Sequence, residues 1–284
     1  MNDSNKQVRK ELLEFYFDLP FNKASVPEVA AEDIKQANTL GYYFCPYESL
    51  FNSGRTVLEL GCGAGWMANM INYYHKSRIL GLDFNPTAIT AAKEVAKALA
   101  PDADNNKGAK FKVADIFEYE SEPYDIVLSI GVLNHIGYFT QGVTKACKLT
   151  KDPGHIIIGL YHKHGRAPFL NHFRELKEKG YSEEQLFEEY RNLDSRHKDE
   201  TLARSWFHDQ VYNVYETQHT LEELNEVFRA NNVKVIGTSI NNFEKISNIK
   251  DVIKMESALY DKGIQYLEKS VYFPGFFVTV GVKS

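Results

Sequence analysis

Val57-Leu58-Glu59-Leu60-Gly61-Cys62-Gly63-Ala64-Gly65 is an apolar run that gives way to a glycine at every second position. Val57, Leu58 and Leu60 have the character of a buried parallel strand, and the helix-compatible run 66–74 completes a strand, tight turn and helix. Glycine in such a turn lets the backbone take positive φ and lets a ligand come close, while the helix N-terminus behind it offers unpaired N–H groups. The stretch therefore reads as a site for a nucleotide-like ligand. A dinucleotide fingerprint, G-x-G-x-x-G, places its third glycine for helix–strand packing. Here that position is Trp66, the glycines fall at 61, 63 and 65, and Glu59 adds negative charge where a pyrophosphate would already carry it. A cationic ligand suits the pattern better.

Working outward, Ile79-Leu80-Gly81-Leu82-Asp83 is a second short strand ending in an acid 18 residues after Gly65. Ala114-Asp115-Ile116 and the strand-like Tyr124-Asp125-Ile126-Val127-Leu128-Ser129 follow. With Glu59-x-Gly61-x-Gly63-x-Gly65, these segments resemble the ordered motifs of the class I S-adenosylmethionine-dependent methyltransferases. The resemblance implies a Rossmann-like doubly wound α/β fold, with S-adenosyl-L-methionine as cofactor and S-adenosyl-L-homocysteine as product. It implies that Gly61, Cys62, Gly63 and Gly65 approach the methionine and ribose portions, with Glu59 as a nearby carboxylate. Asp83, with Phe84 beside it, would accept from the ribose hydroxyls, where an ionised acceptor is the stronger kind. Asp115, next to Ile116, would accept from the adenine amino group, and Ser129 and Gly131 would meet the methionine end. Duller readings stand beside these: Asp83-Phe84-Asn85-Pro86 as a helix start and Asp115 as a turn acid.

From Arg55 onward strand and helix patterns alternate, the signature of a mostly parallel sheet with helices on both faces. Strands are expected at 56–60, 79–83, 110–114, 125–130, 155–161, 233–240 and 276–282, which makes seven. A helix is expected over 86–99, opening with a proline in its first turn, and a helical stretch over 249–267. The polar segment 101–108 reads as a surface loop, and Thr220-Leu221-Glu222-Glu223 as a capping box. The organisation is then an N-terminal helical cover (1–54), a cofactor-binding core (55–161), an insertion after strand five (162–218) and the C-terminal part of the core (219–284).

The composition of 284 residues, 43% apolar and 25% charged, is that of an ordinary globular protein. A net charge of -5 gives no sequence-wide attraction to nucleic acid, which is an unlikely partner. Three cysteines at spacings that fit neither a disulfide framework nor a zinc site suggest a reducing cytoplasm. There is no apolar signal-peptide core and no apolar span long enough to cross a bilayer, so no membrane partner is expected. A homodimer is compatible with the sequence but does not follow from it.

The first fifty residues carry Leu12, Leu13, Phe15, Tyr16, Phe17 and Pro20-Phe21, then Ile34, Leu40 and Tyr43. In the family resembled here such a segment covers the mouth of the active site. Six of the nine histidines fall in or beside the insertion: His162, His164, His172, His197, His208 and His219. Phe15-Tyr16, Leu19-Pro20-Phe21, Gly159-Leu160-Tyr161, Gly165-Arg166, Trp206-Phe207-His208-Asp209-Gln210, Tyr215-Glu216 and His219-Thr220 resemble a group of bacterial class I methyltransferases. That likeness carries an activity class and no acceptor.

Methyl transfer from a sulfonium needs a nucleophile in line with the S–CH₃ bond, and orientation alone supplies effective molarities of ~10⁵–10⁸ M. A hydroxyl acceptor also needs a base, and histidine titrates nearest to neutrality. His135 sits in the loop after strand four, which faces the acceptor in the family, and is the candidate catalytic residue; the alternative is a histidine that only bonds a backbone carbonyl. Tyr161, His162, Arg166, Trp206, Asp209, Glu216 and His219 are the candidate acceptor-binding set, with Arg166 suited to a carboxylate or phosphate. His162-x-His164 with Asp209 and Glu216 has no distinctive ligand spacing, and no metal is assigned. The leading function is methylation of a small-molecule acceptor at oxygen or nitrogen. The alternatives are an RNA or protein methyltransferase, or a catalytically inactive S-adenosylmethionine-binding protein.

Overall fold

The computed structural model describes residues 3–52, 54–100 and 108–284, so the loop expected at 101–108 lies outside the described residues except for Gly108. Seven strands form one sheet: β1 (Thr56–Leu60), β2 (Arg78–Asp83), β3 (Lys110–Val113), β4 (Tyr124–Ile130), β5 (Thr150–Tyr161), β6 (Val233–Thr238) and β7 (Phe276–Lys283). Their order is β3-β2-β1-β4-β5-β7-β6, and only β7 runs antiparallel to its neighbours. The order reverses between β1 and β4, whose register pairs Leu58 with Val127. A crevice therefore opens beyond their carboxyl ends, at the glycines that follow each strand.

Alternation along the strands divides the core between two faces. Leu58, Leu60, Val127, Ile156 and Ile158 pack on one face, and Val57, Ile126, Leu128 and Ile157 on the other. The N-terminal cover contributes α1 (Asp3–Tyr16), α2 (Pro27–Gln36), α3 (Leu40–Phe44) and a 3-10 turn at Tyr47–Phe51. The core adds α4 (Trp66–His75), α5 (Pro86–Leu99) and α6 (Phe139–Lys148). The insertion is α7 (Lys163–Glu178), α8 (Glu183–Leu193) and α9 (Glu200–Tyr212), and the chain closes through α10 (Leu221–Ala230), α11 (Ile249–Lys254) and α12 (Ala258–Glu268). Phe169, Phe173, Leu186, Phe187, Tyr190 and Phe207 give the insertion an apolar cluster of its own, against which Leu267 and Tyr272 from the C-terminal part also pack.

The capping box at Thr220 forms in both directions, with Glu223 N–H donating to Thr220 Oγ1 at 3.1 Å and Thr220 N–H to Glu223 Oε2 at 3.0 Å. The helical stretch expected over 249–267 forms as two helices joined by a 3-10 turn, Met255–Ser257. That turn directs Glu256 inward, where it accepts from Leu221 N–H at 2.5 Å and lies 2.7 Å from His162 Nε2. β5 begins at Thr150, earlier than periodicity indicates, because a register shift lets Thr150 pair with Tyr124. No helix among the described residues is long and apolar enough to cross a membrane.

Candidate active site

The turn after β1 holds its shape through neighbouring backbone. Gly61 and Cys62 N–H both donate to the Leu82 carbonyl at 2.8 Å, and Gly61, Gly63 and Gly65 take φ of +76°, +50° and +78°. Asp83 closes the turn from the end of β2, its Oδ2 accepting from Gly63 N–H and its Oδ1 from Asn85 N–H, each at 2.9 Å. Asn85 caps α5 by accepting from Thr87 N–H at 2.9 Å. Asp115 accepts from Phe117 N–H at 2.7 Å. The two duller readings thus describe real bonds, yet Asp83 and Asp115 also line the cavity, because each carboxylate oxygen keeps a second lone pair.

Glu59 is 4% exposed, lines the same cavity, and has an oxygen, Oε2, with no hydrogen-bond partner among the described residues. Burial pushes its carboxyl well above the usual range, with repulsion from Asp83 adding to the rise and a backbone hydrogen bond at Ala68 opposing it. Burial likewise raises Asp83 and the thiol of Cys62. Cys62, Gly61, Gly63, Phe84, Ile116 and Gly131 also line the cavity, but Gly65 and Ser129 do not. A Cβ at Gly65 would stand 2.6 Å from that of Ala92 and 2.9 Å from the Phe111 ring, so this glycine serves close packing of α5 and β3. Ser129 is fully buried and donates to the Leu60 carbonyl at 3.1 Å, tying β4 to β1.

On the other side of the cavity, His135 Nδ1 lies 2.9 Å from the Tyr215 carbonyl. That acceptor requires the proton on Nδ1 and leaves Nε2 with a lone pair, an assignment made from the hydrogen bond. Nε2 has no hydrogen-bond partner among the described residues and stands 3.8 Å from Asp209 Oδ1. Asp209 accepts from Tyr16 at 2.5 Å, from Tyr161 at 3.3 Å and from Gln210 Nε2 at 2.7 Å. Burial, then the Asp209 charge, push both tyrosine hydroxyls well above their ordinary range, so they remain donors.

Tyr16 was absent from the expected site set, although the aromatic run around it was legible as a cover; Asn85 and Gln210 were missed as well. The cover is latched to α9 by Trp206 Nε1 donating to Asn22 Oδ1 at 2.9 Å, by Ser25 N–H donating to Asp199 at 3.1 Å, and by Phe15 stacked 4.0 Å from His208. Cover, core, insertion and C-terminal part together enclose about 880 Å³. This lies in the ~300–1,000 Å³ range of small-molecule clefts.

Four residues of the expected acceptor set do not line the cavity. Arg166 is fully buried, donating through Nε and Nη2 to Glu216 at 3.0 and 2.8 Å and through Nη1 to Gln210 at 2.9 Å. Its guanidinium lies 4.1 Å from the Tyr161 ring centroid and 4.6 Å from that of Phe169, so the fork expected to grip a substrate anion is already occupied, and Glu216 with it. His162 caps α7 by accepting from His164 and Gly165 N–H at 3.2 Å and turns Nε2 to Glu256. His219 stacks 3.8 Å from Phe139 and bonds Thr217 at 2.9 Å. Arg166 and His162, buried where the chain leaves β5, need partners, and they find them in distant segments, Glu216 and Glu256. His172 pairs with Glu189, and His197, stacked on Trp206, is lowered to about 4 by burial and Arg196. Among the described residues no group of three or more His, Cys, Asp or Glu is placed to hold a metal.

The family described as methyltransferase domain matches residues 51–232. The ribosomal protein L11 methyltransferase of Thermosipho africanus is 30% identical over 76 residues, which is 27% of this chain and 27% of that protein. The chain spans about a quarter to a third of the length of the curated relatives it matches. PKMT2 from Rickettsia typhi in complex with AdoHcy has a similar fold, with a TM-score of 0.56 and 17% identity over 83% of this chain and 50% of that one. Magnesium protoporphyrin IX methyltransferase from Synechocystis PCC 6803 with bound SAH gives 0.50 and 12% over 89% of this chain and 83% of that one. Because the family match runs from before β1 to the end of α10, and so takes in the five consecutive parallel strands β1 to β5, the chain belongs to the methyltransferase domain family, on the class I S-adenosylmethionine-dependent architecture.

Proposed function

We propose that this chain transfers the methyl group of S-adenosylmethionine to a small-molecule acceptor through an oxygen or nitrogen nucleophile. The observation that carries the reading is one cavity lined by Glu59, Asp83 and Asp115 and by His135, whose Nε2 has no hydrogen-bond partner among the described residues. The chain's own groups fit the cofactor. A buried carboxyl with one unpartnered oxygen suits a cationic ligand, and the positive-φ turn brings backbone close to one. Asp83 would hold the ribose hydroxyls, Asp115 the adenine amino group, and the backbone at 61–63 the methionine and ribose portions. When bound, S-adenosylmethionine supplies a methyl group activated by a sulfonium. His135 acts as base through Nε2, oriented by the Tyr215 carbonyl, and Asp209 stands ready to favour the imidazolium. Three free cysteines support a cytoplasmic setting.

Calorimetry with S-adenosylhomocysteine tests the cofactor half. Asp83→Asn should lose ~1.5–3 kcal/mol of binding, the worth of a hydrogen bond to a charged group. Equal affinity in variant and parent, or tighter binding of NAD, would sink the assignment. A protein acceptor is the competing reading, suggested by the names of the curated relatives. Labelled methyl recovered in precipitated protein, with none in the small-molecule fraction of an extract, would favour it.

A further inference from the structure

We infer that the acceptor is an amine, which enters the cavity as a cation between the Asp209 carboxylate and the rings of Tyr16, Tyr161 and Trp206. The inference rests on the methyltransferase reading above and names its substrate class. Asp209 is 4% exposed and lines the cavity, yet its donors are the hydroxyls of Tyr16 and Tyr161 and the amide of Gln210, all neutral. Among the described residues no lysine or arginine lies within ion-pair distance of it. The nearest group able to carry a positive charge is His135 at 3.8 Å, whose Nδ1 proton is already committed to the Tyr215 carbonyl. Arg166, beneath the Tyr161 ring, is neutralised by Glu216.

A buried carboxylate held only by neutral donors is costly unless a cation completes it. The Tyr161 and Trp206 rings already carry guanidinium groups, Arg166 at 4.1 Å and Arg196 at 5.0 Å, so it is the carboxylate that would hold an ammonium. Trp206 lies three residues before Asp209 on α9, on the neighbouring part of the same helix face, and Tyr16 and Tyr161 touch the carboxylate itself. An anionic acceptor would meet like charge at Asp209, and a neutral alcohol would leave that charge uncompensated.

The unpartnered Nε2 of His135 supplies what an ammonium needs before it can attack. Nε2 takes one N–H proton, and the freed lone pair forms the new N–C bond while the C–S bond breaks and leaves its electron pair on sulfur. The methylated ammonium departs, and His135 returns the proton to solvent.

Three probes of one aromatic size test the inference: benzylamine, a cation at neutral pH, benzyl alcohol and phenylacetate. Each is titrated into the full chain loaded with S-adenosylhomocysteine and followed by saturation-transfer NMR. The expected result is benzylammonium at least tenfold tighter than benzyl alcohol, with phenylacetate weakest. Asp209→Asn should bring benzylammonium down to the level of the alcohol, with S-adenosylhomocysteine affinity within a few-fold of the parent. Alcohol or carboxylate binding as well as the ammonium, no binding of any probe, or an Asp209→Asn variant that keeps the preference would overturn it. If Asp209→Asn does not fold, the ranking on the parent decides alone. Failure of S-adenosylhomocysteine to bind is read beforehand by calorimetry and overturns the methyltransferase reading instead.

Discussion

The glycine-turn side of the cavity, proposed above to hold the cofactor, and the insertion side, proposed to hold the acceptor, are built by different means. On the cofactor side, Gly63 bonds Asp83 and Asp83 bonds Asn85, within strand–turn–helix units adjacent in the sheet. On the acceptor side, Tyr16 reaches Asp209 across 193 residues of chain, and Trp206 reaches Asn22 across 184. Local backbone geometry places the first set, and only packing places the second. Damage to the first should remove ligand binding without unfolding the protein. Damage to the second should cost stability and alignment together.

The sharpest way to break that contrast is Gly63→Val, which should abolish S-adenosylhomocysteine binding. A side chain at φ +50° costs ~1–3 kcal/mol of strain, a few degrees of melting temperature at this size. Calorimetry and scanning calorimetry on one sample check both; a folded Gly63→Val protein with parental affinity would move the ligand elsewhere. A second test, next in size, is Glu216→Gln, which leaves Arg166 buried without its counter-charge. Breaking such a pair costs ~3–5 kcal/mol. The melting temperature and, once an acceptor is known, turnover should fall while cofactor affinity stays within a few-fold. Loss of cofactor affinity with the fold intact would show that the two halves are not separable.

The smallest effect is expected at Glu59. Burial raises the carboxyls of Glu59 and Asp83 above their unfolded values, so their contribution to stability is full below the ordinary carboxylate range and lost as pH rises through the raised folded values. Glu59→Gln removes one of the two. Without ligand, the variant should melt above the parent at neutral pH, with the gap narrowing as pH falls, while its affinity for S-adenosylmethionine drops. Melting curves across pH that run parallel for the two proteins would contradict this sign.

The same contrast explains what could be read in advance. The seven strands, the glycine turn and the acids at 59, 83 and 115 were legible because each belongs to a short unit with its own pattern. The break at 255–257 was not, since amphipathic spacing cannot reveal that Glu256 must turn inward to Leu221 and His162. Arg166 and Glu216 looked like ligand-binding residues for a related reason. A sequence shows that a charge is present, but not that its partner stands 50 residues away.

By itself, then, the sequence pointed to the family through the resemblance of its motifs and located the glycine-turn side of the cavity, because turn conformation follows from neighbouring residues. The tertiary structure alone decided which polar side chains of the insertion face the cavity, and that Tyr16 joins Asp209 there. Those choices turn on which buried charge meets which partner, and that is settled only when distant segments pack together and exclude water.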